Sequence, residues 1–262
     1  MAIVKRLWTA REAALTAFDP ALVAQVETAS AQQEDAAYIA AVRCGCEPRK
    51  FAHPLLQVVP QVPTASVTPA FFAEVRTSNG KTRPWYVIAV AQDHGGWKIA
   101  HLTFGGSAGT PPLHAVTASN GVTPGVTAAG RKRMQRLAQT AFRHAATHVA
   151  KVSHTSYGAT VRTRPALNTA RDGIYGLSLP GGKVLSCFTA HQVETYTIPG
   201  GVLRQNPSRS NWDQSIAPGD YSSIILDKAV PLCVVGSGIG SDPGVARWTY
   251  DERTFGAGAS RA

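Results

Sequence analysis

The sequence predicts an α+β fold in which helices pack on antiparallel sheets, arranged as two tandem units. Three observations carry this. Apolar residues recur with helical spacing through the first part of the chain, strand-like apolar runs separated by turn-forming clusters follow, and after a long uncharged stretch the order of helix then strands begins again.

In the opening stretch MAIVKRLWTAREAALTAF, residues Val4, Leu7, Trp8, Leu15 and Phe18 fall three and four apart, as on one face of a helix. Arg11 lies on that stripe between Leu7 and Leu15. A guanidinium placed there has to find acceptors, because burying it unpaired is costly. Asp35 and Glu74 are the candidate partners, forming either a structural ion pair or the floor of a polar ligand pocket. Asp19 then offers an N-cap and Pro20 a first helical residue for a second helix carrying Leu22, Val23 and Val26. EDAAYIAAV predicts a third short helix, ahead of the loop RCGCEPRKFAHP. The runs LLQVV, AFFAEVR, PWYVIAVAQ and GWKIAHLTF read as strands, with TSNGK and DHGG as turns.

Residues 105 to 130 hold no charged residue and little periodicity, so the chain divides into a first unit (1–106), a linker (107–130) and a second unit (131–262). The second unit opens on RKRMQRLAQTAFRHAATHVAKV, where Met134, Leu137, Ala138, Ala141, Phe142, Ala145, Val149 and Val152 form one apolar stripe. GIYGLSLP, KVLSCFTAHQVETYTI, YSSIILDKAVPLCVV and VARWTYDERTF follow as strands.

The segments LWTAREAALTAFDPALVAQVETASAQQEDAAYI, CGC, FFAEVR, PWYVIAVAQ and GGWKIAHLTFGG resemble the N-terminal half of an uncharacterised family of actinobacterial envelope-associated proteins. These carry tandem cystatin-like domains of the nuclear transport factor two or ketosteroid isomerase type. The resemblance covers residues 4 to 106, and the second half agrees in element order. It implies helices on a curved antiparallel sheet enclosing a cone, an exported or membrane-tethered setting, and no established activity. Fold alone does not carry function.

The net charge of +10 has one location. Between His94 and Arg171 there is no Asp or Glu, whereas Lys98, Arg131, Lys132, Arg133, Arg136, Arg143, Lys151, Arg162, Arg164 and Arg171 supply ten cations. Arg133, Arg136 and Arg143 point away from the apolar stripe of their helix, as either a solvated basic face or a binding face would. The expected partner is a protein or an anionic envelope component. Nucleic acid is not favoured, since no aromatic residue interleaves with these cations and no reading motif is present. No apolar run is long enough for a transmembrane segment. The N-terminus lacks a signal-peptide core, so the chain is extracytoplasmic or membrane-associated if a leader was trimmed, and cytoplasmic otherwise.

Chemistry is sparse. His144 and His148 stand at metal-sharing spacing, but Ala145 occupies the position where H-E-x-x-H needs Glu, and His154 finds no nearby carboxylate. Cys44, Cys46 and His53 make an incomplete zinc set. No metal and no cofactor are expected. Cys44, Cys46, Cys187 and Cys233 are the disulfide candidates, with buried thiols the preferred reading for Cys187 and Cys233 because both lie in apolar strands. VVGSGIGSDPG matches no phosphate-loop pattern and reads as a turn. With no catalytic constellation, the expected function is a non-enzymatic binding or assembly module of the bacterial envelope. The alternative is an enzyme or small-molecule binder using a carboxylate or Tyr inside one cone. Whether a cone is filled by its own side chains separates the two.

Overall fold

The computed structural model describes residues 2–43, 55–58, 62–63, 70–77, 85–104, 128–151, 155–156, 159–166, 173–178, 183–205, 219–237, 246–250 and 253–261. It is a mixed α+β structure with two antiparallel sheets and, among the described residues, four helices.

Helix α1 (Ala2–Ala17) buries Val4, Leu7, Trp8 and Ala14 together with Arg11. It stops at Phe18, whose φ of 52° lets the backbone N–H of Phe18 and Asp19 reach back to the carbonyls of Leu15 and Ala14. The Asp19 side chain then accepts the N–H of Ala21 at 2.8 Å and starts α2 (Pro20–Val26), with Pro at the first turn. Helix α3 (Ala29–Arg43) begins earlier than EDAAYIAAV indicates. Residues Ser30, Ala31, Glu34, Asp35 and Ile39 are all buried, because α3 packs against sheet 1 on one side and the second half of the chain on the other. Its many alanines permit that close double packing and erase the one-sided stripe that would have announced it.

Sheet 1 has the order β1 (Leu55–Val58), β3 (Ala70–Thr77), β4 (Trp85–Ala91), β5 (Trp97–Phe104), with β2 (Val62–Pro63) also on β3. Phe71, Ala73, Val75, Trp85, Val87 and Ala89 pack under the helices, while Phe72, Tyr86, Ile88 and Val90 fill the opposite face. Burial on both faces explains why these strands read as continuous apolar runs instead of alternating ones. In β5 the register slips by one residue at Ala100, between the pairs Ile88↔His101 and Ala89↔Ile99. A one-residue slip exchanges faces. Ile99 therefore joins the helix side, and His101 turns toward the second half. The outer edge of β5 is covered by the α2–α3 elbow, where Thr28 N–H donates to the Ile99 carbonyl at 2.8 Å and Ser30 Oγ to that of Ala100 at 3.3 Å.

The second half opens with α4 (Ala128–Lys151) and continues through β6 (Thr155–Ser156), β7 (Ala159–Ala166), β8 (Ile174–Ser178), β9 (Val184–Thr197), β10 (Leu203–Gln205), β11 (Gly219–Gly236), β12 (Ala246–Tyr250) and β13 (Arg253–Arg261). The long strands β9 and β11 form the spine of sheet 2. β8 and β7 share the free side of β9, and β12 and β13 share that of β11. The run VARWTYDERTF is thus two strands. β7 was not expected, because ATVRTRPA is polar and contains Pro165.

Helix α4 covers one face of sheet 2, setting Met134, Leu137, Ala138 and Ala141 against Val184, Phe188 and Val234. A Cβ at Gly176 would collide with the Leu185 carbonyl and the Met134 sulfur, so only glycine lets α4 approach β8. The opposite face meets sheet 1. Leu185, Cys187 and Cys233 share a core with Phe72, Tyr86 and Ile88, so the two units expected from the sequence are joined through a common apolar layer. Polar links cross the same seam: His101 Nδ1 lies 3.2 Å from Thr189 Oγ1, which donates to Ser30 Oγ at 2.8 Å, and Thr103 Oγ1 donates to the Pro231 carbonyl at 3.4 Å. Cys187 and Cys233 are cross-strand neighbours on β9 and β11 and form a disulfide. They are buried, as apolar strands demand, but bonded where free thiols were the preferred reading.

Candidate functional site

The face of sheet 1 beneath the helices would have to stay open if the first cone were a ligand cavity. Among the described residues it is filled, and its most polar feature is Arg11. The side chain of Arg11 is buried, with the guanidinium carbon 5.1 Å from the Trp8 ring centre and 5.7 Å from that of Trp85. Its Nε donates to Glu27 Oε1 at 2.9 Å, Nη2 to Asp35 Oδ1 at 2.9 Å and Nη1 to Glu12 Oε1 at 3.1 Å. α1, the end of α2 and α3 are thereby tied at one point. Asp35 was an expected partner and Glu74 was not needed: Glu74 is buried on β3 and accepts from Arg76 Nε at 3.0 Å. Glu27 escaped sequence reasoning because it caps α2 sixteen residues from Arg11, with no motif to connect them.

Three carboxylates around one guanidinium leave a surplus of negative charge in a desolvated place. Burial opposes the charge of Arg11, but Asp35, Glu27 and Glu12 together outweigh it and hold the guanidinium above its ordinary pKa. Burial and then the neighbouring Asp35 push the Glu27 carboxyl well above the carboxylate range, against the pull of Arg11. Glu27 Oε2 and Asp35 Oδ2 have no hydrogen-bond partner, the second lying 2.6 Å from Arg11 Nε but off its hydrogen-bond direction. The arrangement favours a protonated Glu27. It is an ion-pair lock lying against Trp8 and Trp85.

The second sheet carries the converse cluster on the face shared with α4. Glu194 is buried and accepts from Gln192 Nε2, from the Tyr196 hydroxyl and from Lys228 Nζ, the last at 2.8 Å. One carboxylate here meets three donors. At the seam, burial lowers the pKa of His101 from 6.5 to about 3, which keeps the ring neutral, and its Nε2 has no hydrogen-bond partner.

The cations of the carboxylate-free segment are divided by the fold. On α4, Lys132 and Arg136 are exposed and Arg133 is half-buried. Arg162 and Arg164 are exposed on β7, opposite Thr195 and Val193 of β9, and so face away from α4. Arg143, His144 and His148 belong to a part of α4 whose side chains lie outside the described residues, as do Cys44, Cys46 and His53. Among the described residues no group of three or more His, Cys, Asp or Glu is placed to hold a metal ion, and no helix is long and apolar enough to cross a membrane. A groove of about 530 Å³ runs along the outer side of α1 past Ala2, Lys5, Arg6, Thr9, Ala10 and Ala13, without converging acid–base groups.

Comparison of the chain with protein-family models, with curated proteins and with solved structures gave no match.

Proposed function

We propose that this chain is a non-enzymatic binding or assembly module of the bacterial cell envelope, built from two tandem cystatin-like units and using its basic second half to engage an anionic or protein partner. The observation that carries this reading is α4, whose apolar side is committed to the sheet while Lys132 and Arg136 stand exposed in a segment with no carboxylate to neutralise them. The face of sheet 1 beneath the helices, filled among the described residues, supports a module without a reaction chamber. The Cys187–Cys233 disulfide fits an oxidising, extracytoplasmic setting, as does the family resemblance of the first half.

The test is binding of the full chain to anionic vesicles and to inorganic polyphosphate at rising salt. Binding that weakens steeply with salt, and weakens again when Arg133, Arg136 and Arg143 are changed together to Ser, is the expected result. Binding indifferent to both removes the electrostatic basis of the proposal.

A second reading, an enzyme or small-molecule binder, draws on Glu194 with Tyr196 and Lys228 on the α4-covered face of sheet 2. It requires a ligand whose affinity is lost in Glu194→Gln.

A further inference from the structure

We infer that the outer edge of β7, which has no partner strand from Val161 to Arg164 among the described residues, is a docking site for an extended acidic segment, which adds to sheet 2 as a strand with carboxylates two residues apart. The inference goes beyond the α4 reading: it assigns a protein partner to a second site of the same basic half.

β7 pairs with β9 through Thr160 to Ala166, whereas on its other side β6 reaches only Ala159 and Thr160. From Val161 to Arg164 the outer edge has no partner strand among the described residues, and Pro165, lacking an N–H, bounds it at the far end. Such an edge offers a row of backbone donors and acceptors that only a polypeptide can match; an anionic polymer or lipid headgroup cannot.

The side chains then specify the sequence of the added strand. Arg162 and Arg164 are exposed on one face, and neither has an ion-pair partner among the described residues. Alternate residues of a strand are roughly 6.8 Å apart, and directly opposed residues on neighbouring strands bring their Cβ atoms within roughly 5 Å. An added strand with Asp or Glu at every second position sets one carboxylate against each arginine. Helical acidic segments, with their different spacing, do not.

A second copy of residues 1–262 does not supply this pattern. None of its sixteen acidic residues lies two positions from another; the nearest pairs, Glu34 with Asp35 and Asp251 with Glu252, are adjacent and would point to opposite faces of a strand. The strand that fits therefore comes from outside residues 1–262.

The experiment uses the full chain and a fluorescent peptide alternating Glu or Asp with Val or Thr. Controls are a peptide of the same composition with adjacent acids, the alternating peptide N-methylated at every second residue, inorganic polyphosphate, and phosphatidylglycerol vesicles. The alternating peptide should bind, and the other two peptides should bind at least several-fold more weakly. Changing Arg162 and Arg164 together to Ser should weaken binding roughly ten-fold, the loss of two cross-strand charge pairs. Lys132→Ser with Arg136→Ser should leave it within about two-fold, since those cations lie on the other face. Thermal melts confirm that both variants stay folded. Equal binding of all three peptides, dependence on Arg162 and Arg164 for polyphosphate or vesicles only, or no peptide binding overturns the inference. The α4 test of the broader function uses different residues, so either can fail alone.

Discussion

Arg11 in the first half and Glu194 in the second both carry charge into the helix-covered face of a sheet, and they do so with opposite surpluses. Arg11 is one cation among Glu12, Glu27 and Asp35; Glu194 is one anion among Gln192, Tyr196 and Lys228. The carboxylate surplus is relieved by putting a proton on Glu27. The donor surplus needs no such adjustment, because Gln192 and Tyr196 are neutral donors. The depth of burial differs as well: the Arg11, Glu27 and Asp35 side chains are 4, 0 and 4 % exposed, with Glu12 at 13 %, whereas the Glu194 and Lys228 side chains are 11 and 15 % exposed. In the first cluster water reaches Glu12 alone, whereas in the second it reaches both members of the ion pair. A charge locked beneath two tryptophans is a structural fastening; one within reach of solvent is where a ligand can compete.

The comparison is broken most forcefully at Arg11. Arg11→Ala leaves the Asp35 carboxylate and the Glu27 carboxyl group buried without their cation and should cost about 3–5 kcal/mol, read from urea unfolding. An unchanged midpoint would mean that the first cluster is not a lock. Removing both the charge and its partners, as in Arg11→Met with Asp35→Leu and Glu27→Gln, should recover much of that loss.

The seam between the two regions should respond to acid. Because burial lowers the His101 pKa to about 3, its neutral form stabilises the fold fully above its ordinary value of 6.5, and that contribution is lost as pH falls toward 3. At pH 5 the loss should be roughly 2 kcal/mol, absent in His101→Gln. A His101 ring titrating near 6.5 by NMR would refute the sealed seam.

Glu27 has the opposite sign. Its folded pKa is raised, so its contribution is full below the carboxylate range and disappears as pH rises through the raised value. The stability difference between the native chain and Glu27→Gln should therefore favour the native chain in acid and shrink as pH rises. A difference independent of pH would show that folding leaves the Glu27 pKa unshifted.

The smallest effect belongs to the second cluster. Tyr196→Phe removes one of three donors to Glu194 and should cost about 0.5–1.5 kcal/mol. A loss as large as that of Arg11→Ala would erase the distinction between the regions.

The sequence by itself determined the α+β class, α1, α2 and α4, the C-terminal part of α3, and the apolar strands β1, β3, β4, β5, β8, β9 and β11, because helical and strand periodicities and the Asp19-Pro20 start are local properties. It also determined that Arg11 must be buried and paired, since a guanidinium on an apolar stripe has no other recourse. What it could not determine were features made by distant contacts. Glu27 became a partner of Arg11 only when α2 folded back on α1. α3 became a helix buried on two sides only when the second half closed over it. The slip at Ala100 sent His101 to the seam, and β7 took its place through hydrogen bonds to β9, against a polar, proline-containing sequence. Backbone pairing and burial on a second face leave no periodic trace, so tertiary structure alone decided the shared core, the disulfide and the placing of the arginines on two faces of sheet 2.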